Sequence, residues 1–118
     1  MSYDIGINFR ETSGFVTDPA NTTYSLGEAY PTTRSMATSG LSVTFGFATT
    51  DIVPYMRDRD SGIDPRLAGM AQANALAIGD QLFRIDLPAS GTWQVNLAAG
   101  ENNYPQSASW QVLDSDGS

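Results

Sequence analysis

Residues 41–47 read LSVTFGF. Leu41, Val43, Phe45 and Phe47 alternate with Ser42, Thr44 and Gly46, so an extended chain sets four apolar side chains on one face and three small or polar groups on the other. The pattern recurs. Residues 3–9 (YDIGINF) set Tyr3, Ile5, Ile7 and Phe9 against Asp4, Gly6 and Asn8. Residues 83–87 (FRIDL) set Phe83, Ile85 and Leu87 against Arg84 and Asp86, and residues 92–98 (TWQVNLA) set Trp93, Val95 and Leu97 against Gln94 and Asn96. Residues 108–113 (ASWQVL) repeat it through Trp110 and Val112. Runs of period two, each with a polar face, predict antiparallel sheets covered on one side.

Turn chemistry adds connections. Leu87-Pro88-Ala89-Ser90-Gly91 is a short turn between two alternating runs, which predicts a β-hairpin over 82–98 with Phe83, Ile85, Trp93, Val95 and Leu97 facing inward. Pro88 ends the first strand, having no N–H for a ladder. Residues 66–79 (RLAGMAQANALAIG) form the one helix-like window, interrupted by Gly69 and Gly79, and predict a short helix or turn. Residues 10–40 are polar and read as a long loop with one short edge strand near 23–26. Residues 114–118 (DSDGS) read as a frayed tail or the start of a further hairpin. Short strands, frequent turns and little helix predict an all-β fold, an antiparallel β-sandwich or jelly roll, as a single domain over 1–118.

Composition narrows the function. The 118 residues contain no cysteine and no histidine, which excludes disulfides, thiolate metal sites, a thiol nucleophile and imidazole general-base chemistry. All six basic residues are arginine, so a lysine nucleophile or Schiff base is excluded, and the guanidinium groups suit fixed pairing with carboxylates. Thirteen acidic side chains bring the net charge to −7, a sign that repels nucleic-acid backbones and anionic membranes. No segment approaches the apolar length of a membrane span, and MSYDIG lacks the basic and apolar regions of a signal peptide. With Met1 as the start, assembly in the cytoplasm is the expectation.

Residues 56–69 read MRDRDSGIDPRLAG and hold the densest charge in the chain. Asp58, Asp60 and Asp64 around Gly62 share the flavour of a calcium loop, which needs several carboxylates and a turn glycine. Arg57, Arg59 and Arg66 already neutralise those carboxylates, and no glutamate follows at a bidentate position. The expectation is therefore structural ion pairs among Arg57, Asp58, Arg59, Asp60, Asp64 and Arg66, across neighbouring strands or locking a loop, with metal as the weaker reading. Glu11, Glu28 and Glu101 with ten aspartates offer many carboxylate pairs, and spacing alone selects none for glycoside hydrolysis. No catalytic or cofactor-binding residue is expected. Tyr24, Tyr30, Tyr55 and Tyr104 read as loop aromatics that either contact a ligand or partner or cap the ends of a sandwich.

The order of YDIGINF, TTYSLGEAYP, the Arg-Asp segment ending DPRLAG, and FRIDLPASGTWQVNLAAGEN resembles galactose-binding-like β-sandwich modules, the kind that accompany polysaccharide-active esterases and lyases. Asp4, Gly6, Thr23 to Ser25, Arg59, Asp64 to Leu67 and Phe83 to Trp93 fall on motif positions of that family, and Glu101 stands where it usually has Asp. The resemblance implies a mainly architectural role for the Arg and Asp residues. The family's sandwich usually runs further than this chain, so the expectation is that another segment completes it, a neighbouring subunit covers the open edge, or the fold is a reduced one. Residues 10–31 (RETSGFVTDPANTTYSLGEAYP) are similar to proteins encoded by tailed phages and prophages. The leading expectation is a non-enzymatic structural or adhesive virion protein: a head decoration, tail or fibre component, held to its own copies or to other particle proteins. The alternative is an extracellular carbohydrate-binding accessory module of a polysaccharide-degrading enzyme. Neither requires a cofactor.

Overall fold

The computed structural model describes residues 3–10, 21–48, 55–58, 69–72, 81–98 and 111–114, with the backbone alone at 55–58 and 69–72. Among the described residues the regular structure is all strand, with no helix. The described residues hold seven strands in chain order: β1 (Gly6–Phe9), β2 (Thr22–Ser25), β3 (Thr32–Ser35), β4 (Ser42–Phe47), β5 (Tyr55–Asp58), β6 (Gly69–Gln72) and β7 (Phe83–Asp86). They form an antiparallel sheet of order β3-β4-β7, a parallel pair β1-β2 and an antiparallel pair β5-β6.

Strand β4 is the centre, and the alternation of LSVTFGF determines its orientation. Val43, Phe45 and Phe47 are buried, and Phe45 has no exposed surface at all. Met36 joins Val43 and Phe45 in the core, with Ile5, Ile7, Leu41 and Phe83 packed around them. Phe9 of β1 meets Phe83 edge-on at 5.0 Å and Phe47 at 6.1 Å, so the parallel pair lies over the antiparallel sheet through aromatic contacts. The β3–β4 hairpin closes through Met36 N–H to the Leu41 carbonyl at 2.9 Å and Gly40 N–H to the Met36 carbonyl at 3.1 Å. Gly40 has φ 66°, a left-handed turn conformation that a glycine adopts without steric cost.

Gly46 explains how the next segment crosses the sheet. Its φ is 149°, and a Cβ there would fall 2.6 Å from both the Ala29 carbonyl carbon and Tyr30 Cα. The absent side chain lets residues 28–30 run directly against β4. There Phe47 N–H donates to the Glu28 carbonyl at 2.9 Å and Tyr30 N–H to the Phe47 carbonyl at 3.0 Å.

Several expectations change. The β1–β2 pair is parallel, with Gly6 opposite Thr22 and Phe9 opposite Ser25, where antiparallel sheets alone were expected. Neither face of the pair is solvated: Asn8 on one face is buried, as are Thr23 and Ser25, which share the other face with Ile7 and Phe9, and Arg10 just after β1 is buried too. Parallel strands characteristically have both faces covered, and this pair follows that rule with polar residues. The edge strand expected near 23–26 exists as β2, but the polar 32–35 stretch also forms a strand, β3.

Residues 69–72 of the helix-like window form β6, antiparallel to β5; the rest of that window lies outside the described residues. The 82–98 hairpin is not formed. Its first half is β7, paired with β4, whereas residues 92–98 carry no strand. Ile85, Val95 and Leu97 are exposed instead of inward, and only Phe83 and Trp93 are half-buried. Trp93 stacks on Tyr3 at 6.0 Å, and its indole N–H donates to the Ala89 carbonyl at 3.1 Å. Residues 111–114 are exposed and carry no strand, while Trp110 and residues 115–118 lie outside the described residues.

Candidate functional site

Two polar clusters flank the antiparallel sheet. The first forms where the chain turns from β2 into β3. Glu28 Oε2 accepts from Ser25 Oγ at 3.0 Å and from Leu26 N–H at 2.8 Å, while Oε1 pairs with Arg34 Nη2. The Arg34 guanidinium lies 4.6 Å over the Tyr24 ring. Both oxygens of Glu28 are thus committed to holding a turn against a neighbouring strand. This carboxylate is architectural in its geometry.

The second cluster joins that turn to β7. Tyr30 Oη donates to Asp86 Oδ2 at 2.6 Å, Arg84 Nε donates to Asp86 Oδ1 at 2.9 Å, and the Arg84 guanidinium stacks 4.3 Å above the Tyr30 ring. Arg84 and Asp86 share one face because they are two residues apart on a strand. The Tyr30 hydroxyl bond, reinforced by Arg84, holds the Asp86 carboxyl below its ordinary range. The same bond pushes the Tyr30 phenol above its ordinary value, since ionisation would set two negative oxygens side by side. Next to Asp86 on the sheet face sits Thr44, whose hydroxyl is 2.8 Å from that of Thr33. A polar row therefore crosses all three strands.

Among the described strands β7 is an edge. It takes its place beside β4 with Phe47 opposite Phe83, Phe45 opposite Ile85 and Thr44 opposite Asp86. Ala48 N–H donates to the Leu82 carbonyl at 2.9 Å, which fixes the ladder's phase. Leu82, Arg84 and Asp86 direct their backbone groups toward β4, so those of Phe83, Ile85 and Leu87 point away from it. Among the described residues no strand lies on that outer side. Leu82, Ile85 and Leu87 in or beside β7, Val95 and Leu97 beyond it, and Val112 are each 40–62% exposed.

The residues singled out in the sequence fare unequally. Tyr24 lies in β2 and not in a loop, and Tyr30 follows the bridge between Ala29 and Phe47; each has a guanidinium on one ring face. Tyr55 starts β5, so it too is on a strand, and Tyr104 lies outside the described residues. Arg57 and Asp58 are in β5 opposite Met70 and Gly69, so β6 offers neither an opposite charge directly across the ladder. Arg59, Asp60, Asp64 and Arg66 lie outside the described residues, and the ion-pair and calcium readings of that segment with them. Among the described residues no three metal-ligating side chains converge. Sequence reading missed the Glu28–Arg34 and Tyr30–Asp86–Arg84 clusters. The spacing of Arg84 and Asp86 in FRIDL was the available signal for the second.

No protein-family model, curated protein or solved structure matches the chain.

Proposed function

We propose that the protein works by association rather than catalysis, as a structural or adhesive component of a tailed-phage particle. The observation that carries this reading is the apolar surface of the C-terminal third, where side chains such as Leu87, Val95, Leu97 and Val112 are 49–62% exposed. Large apolar side chains left this exposed favour a covering protein where they adjoin one another, as Ile85 of β7 and Leu87 just after it do on one face. The outward backbone of β7 adds hydrogen-bonding groups that a neighbouring strand satisfies. Two of the described carboxylates, Glu28 and Asp86, have oxygens engaged in holding the fold together.

The frame we assign is a galactose-binding-like β-sandwich. Its support is the motif resemblance together with the packing of Phe9 onto Phe47 and Phe83 between two strand layers. The particle setting is supported by the similarity of residues 10–31 to phage-encoded proteins. A sugar-binding role through Tyr24 and Tyr30 ranks second, because an arginine already occupies one face of each ring.

Mass spectrometry of gradient-purified particles tests the reading. The protein is expected at a stoichiometric copy number. Its absence from particles, together with specific binding to a polysaccharide, would replace this reading with the carbohydrate-binding module.

A further inference from the structure

We infer that the partner at the β7 edge is a second copy of this chain, joined β7 to β7 in an antiparallel two-fold pairing centred on Ile85. The inference rests on the association reading above and names the partner. Its basis is that residues 83–87 (FRIDL) are complementary to themselves when reversed. With Ile85 opposite Ile85 of the second copy, Phe83 lies opposite Leu87 and Arg84 lies opposite Asp86, in both directions. A two-fold interface requires this kind of self-complementary patch.

The hydrogen-bond phase fits the same register. Phe83, Ile85 and Leu87 are the residues whose backbone groups point outward, as the Ala48–Leu82 bond and the β4–β7 register dictate. In the proposed pairing those residues meet one another, so each outward N–H finds a carbonyl. Pro88, which lacks an N–H, falls opposite Leu82. Both have the parity that directs backbone groups away from the new partner, so the proline costs the pairing no bond.

Arg84 and Asp86 become non-hydrogen-bonded neighbours, the arrangement with the shorter Cα separation of roughly 4.5 Å. Their side chains are 57% and 40% exposed and can reach across the junction while keeping their own contact. The opposite face of the junction brings together the exposed Ile85 and Leu87 side chains of both copies. Two three-stranded sheets become one continuous sheet.

The chain has no cysteine, which makes single-cysteine variants clean probes. Ile85→Cys is expected to form a disulfide-linked dimer on mild oxidation, since paired Cα atoms about 5.5 Å apart suit a disulfide. Leu82→Cys is expected not to, because the two copies' residues 82 lie far apart in this register. In sedimentation equilibrium, Arg84→Asp and Asp86→Arg each weaken dimerisation at least tenfold, and the double exchange restores it. That rescue separates pairing across the junction from any structural effect of losing the Tyr30–Asp86 bond. Equal cross-linking at 82 and 85, or a double exchange no better than the single variants, overturns the inference. A chain that stays monomeric yet is found in purified particles also overturns it and leaves the association reading standing. A dimer through Ile85 in a protein absent from particles does the reverse.

Discussion

Replacing Phe45 with alanine tests the placement of the core. The side chain is fully buried, lies 5.8 Å from the Phe83 ring, and shares the core with Met36 and Val43. Its backbone is held on both sides, opposite Thr32 in β3 and Ile85 in β7, so the strands cannot close over the cavity left by the ring. Loss of a buried phenylalanine costs about 3–5 kcal/mol, and a site held this firmly belongs toward the upper end. Against a total stability of roughly 5–15 kcal/mol, that is a large fraction. With a urea m-value of about 1.5 kcal/mol/M, the unfolding midpoint falls by roughly 2–3 M. The assay is urea unfolding followed by circular dichroism, at a concentration where the chain is monomeric. Ile85→Ala is the control on the same sheet face: the side chain is 40% exposed, so its truncation costs only about 1 kcal/mol. Equal losses for the two variants, or a loss below about 1 kcal/mol for Phe45→Ala, would refute this account of the core.

Four further outcomes are expected. Gly46→Ala destabilises by roughly 1–3 kcal/mol, because the new Cβ meets the backbone of Ala29 and Tyr30 at a positive φ; an unchanged urea midpoint would contradict that packing. Asp86 has a lowered folded pKa, so its stabilising contribution is present above the ordinary carboxylate value of about 3.9 and is lost as pH falls through the folded value. Asp86→Asn therefore removes part of the acid-side loss of stability, an effect kept small by solvent and salt at this exposed site. Ultraviolet titration of the tyrosines should lose a component above pH 10 in Tyr30→Phe, consistent with the raised phenol. For the MRDRDSGIDPRLAG segment, the ion-pair reading predicts a melting temperature indifferent to a chelator; a clear drop would assign Asp58, Asp60 and Asp64 to a metal instead.

Period-two alternation made β4 legible, since Val43, Phe45 and Phe47 need one buried face and the small residues between them permit only one register. The same signal failed at 92–98. Trp93, Val95 and Leu97 do form an apolar row, but alternation says nothing about which surface covers the row, and here Val95 and Leu97 remain exposed. Strand β3 escaped detection because TTRS has no apolar residue; β4 pairing and the Gly40 turn make it a strand. The parallel β1–β2 arrangement depends on burying Asn8, Thr23 and Ser25, residues whose composition signals a solvated face. In the candidate site, the i, i+2 spacing of Arg84 and Asp86 was readable, whereas the Tyr30 hydroxyl reaches Asp86 across 56 residues and leaves no local trace.

The most direct test of the association reading is amide hydrogen exchange over residues 82–97, compared between the isolated monomer and the particle-assembled protein. In the monomer, the amides of Ile85 and Leu87 should exchange fast, while those of Arg84 and Asp86, directed at β4, exchange slowly. Assembly is predicted to protect Ile85 and Leu87 and to slow exchange through Val95 and Leu97. Unchanged exchange across 82–97 on assembly, with new protection confined to other segments, would contradict the claim that this edge and its apolar surface are where the protein binds.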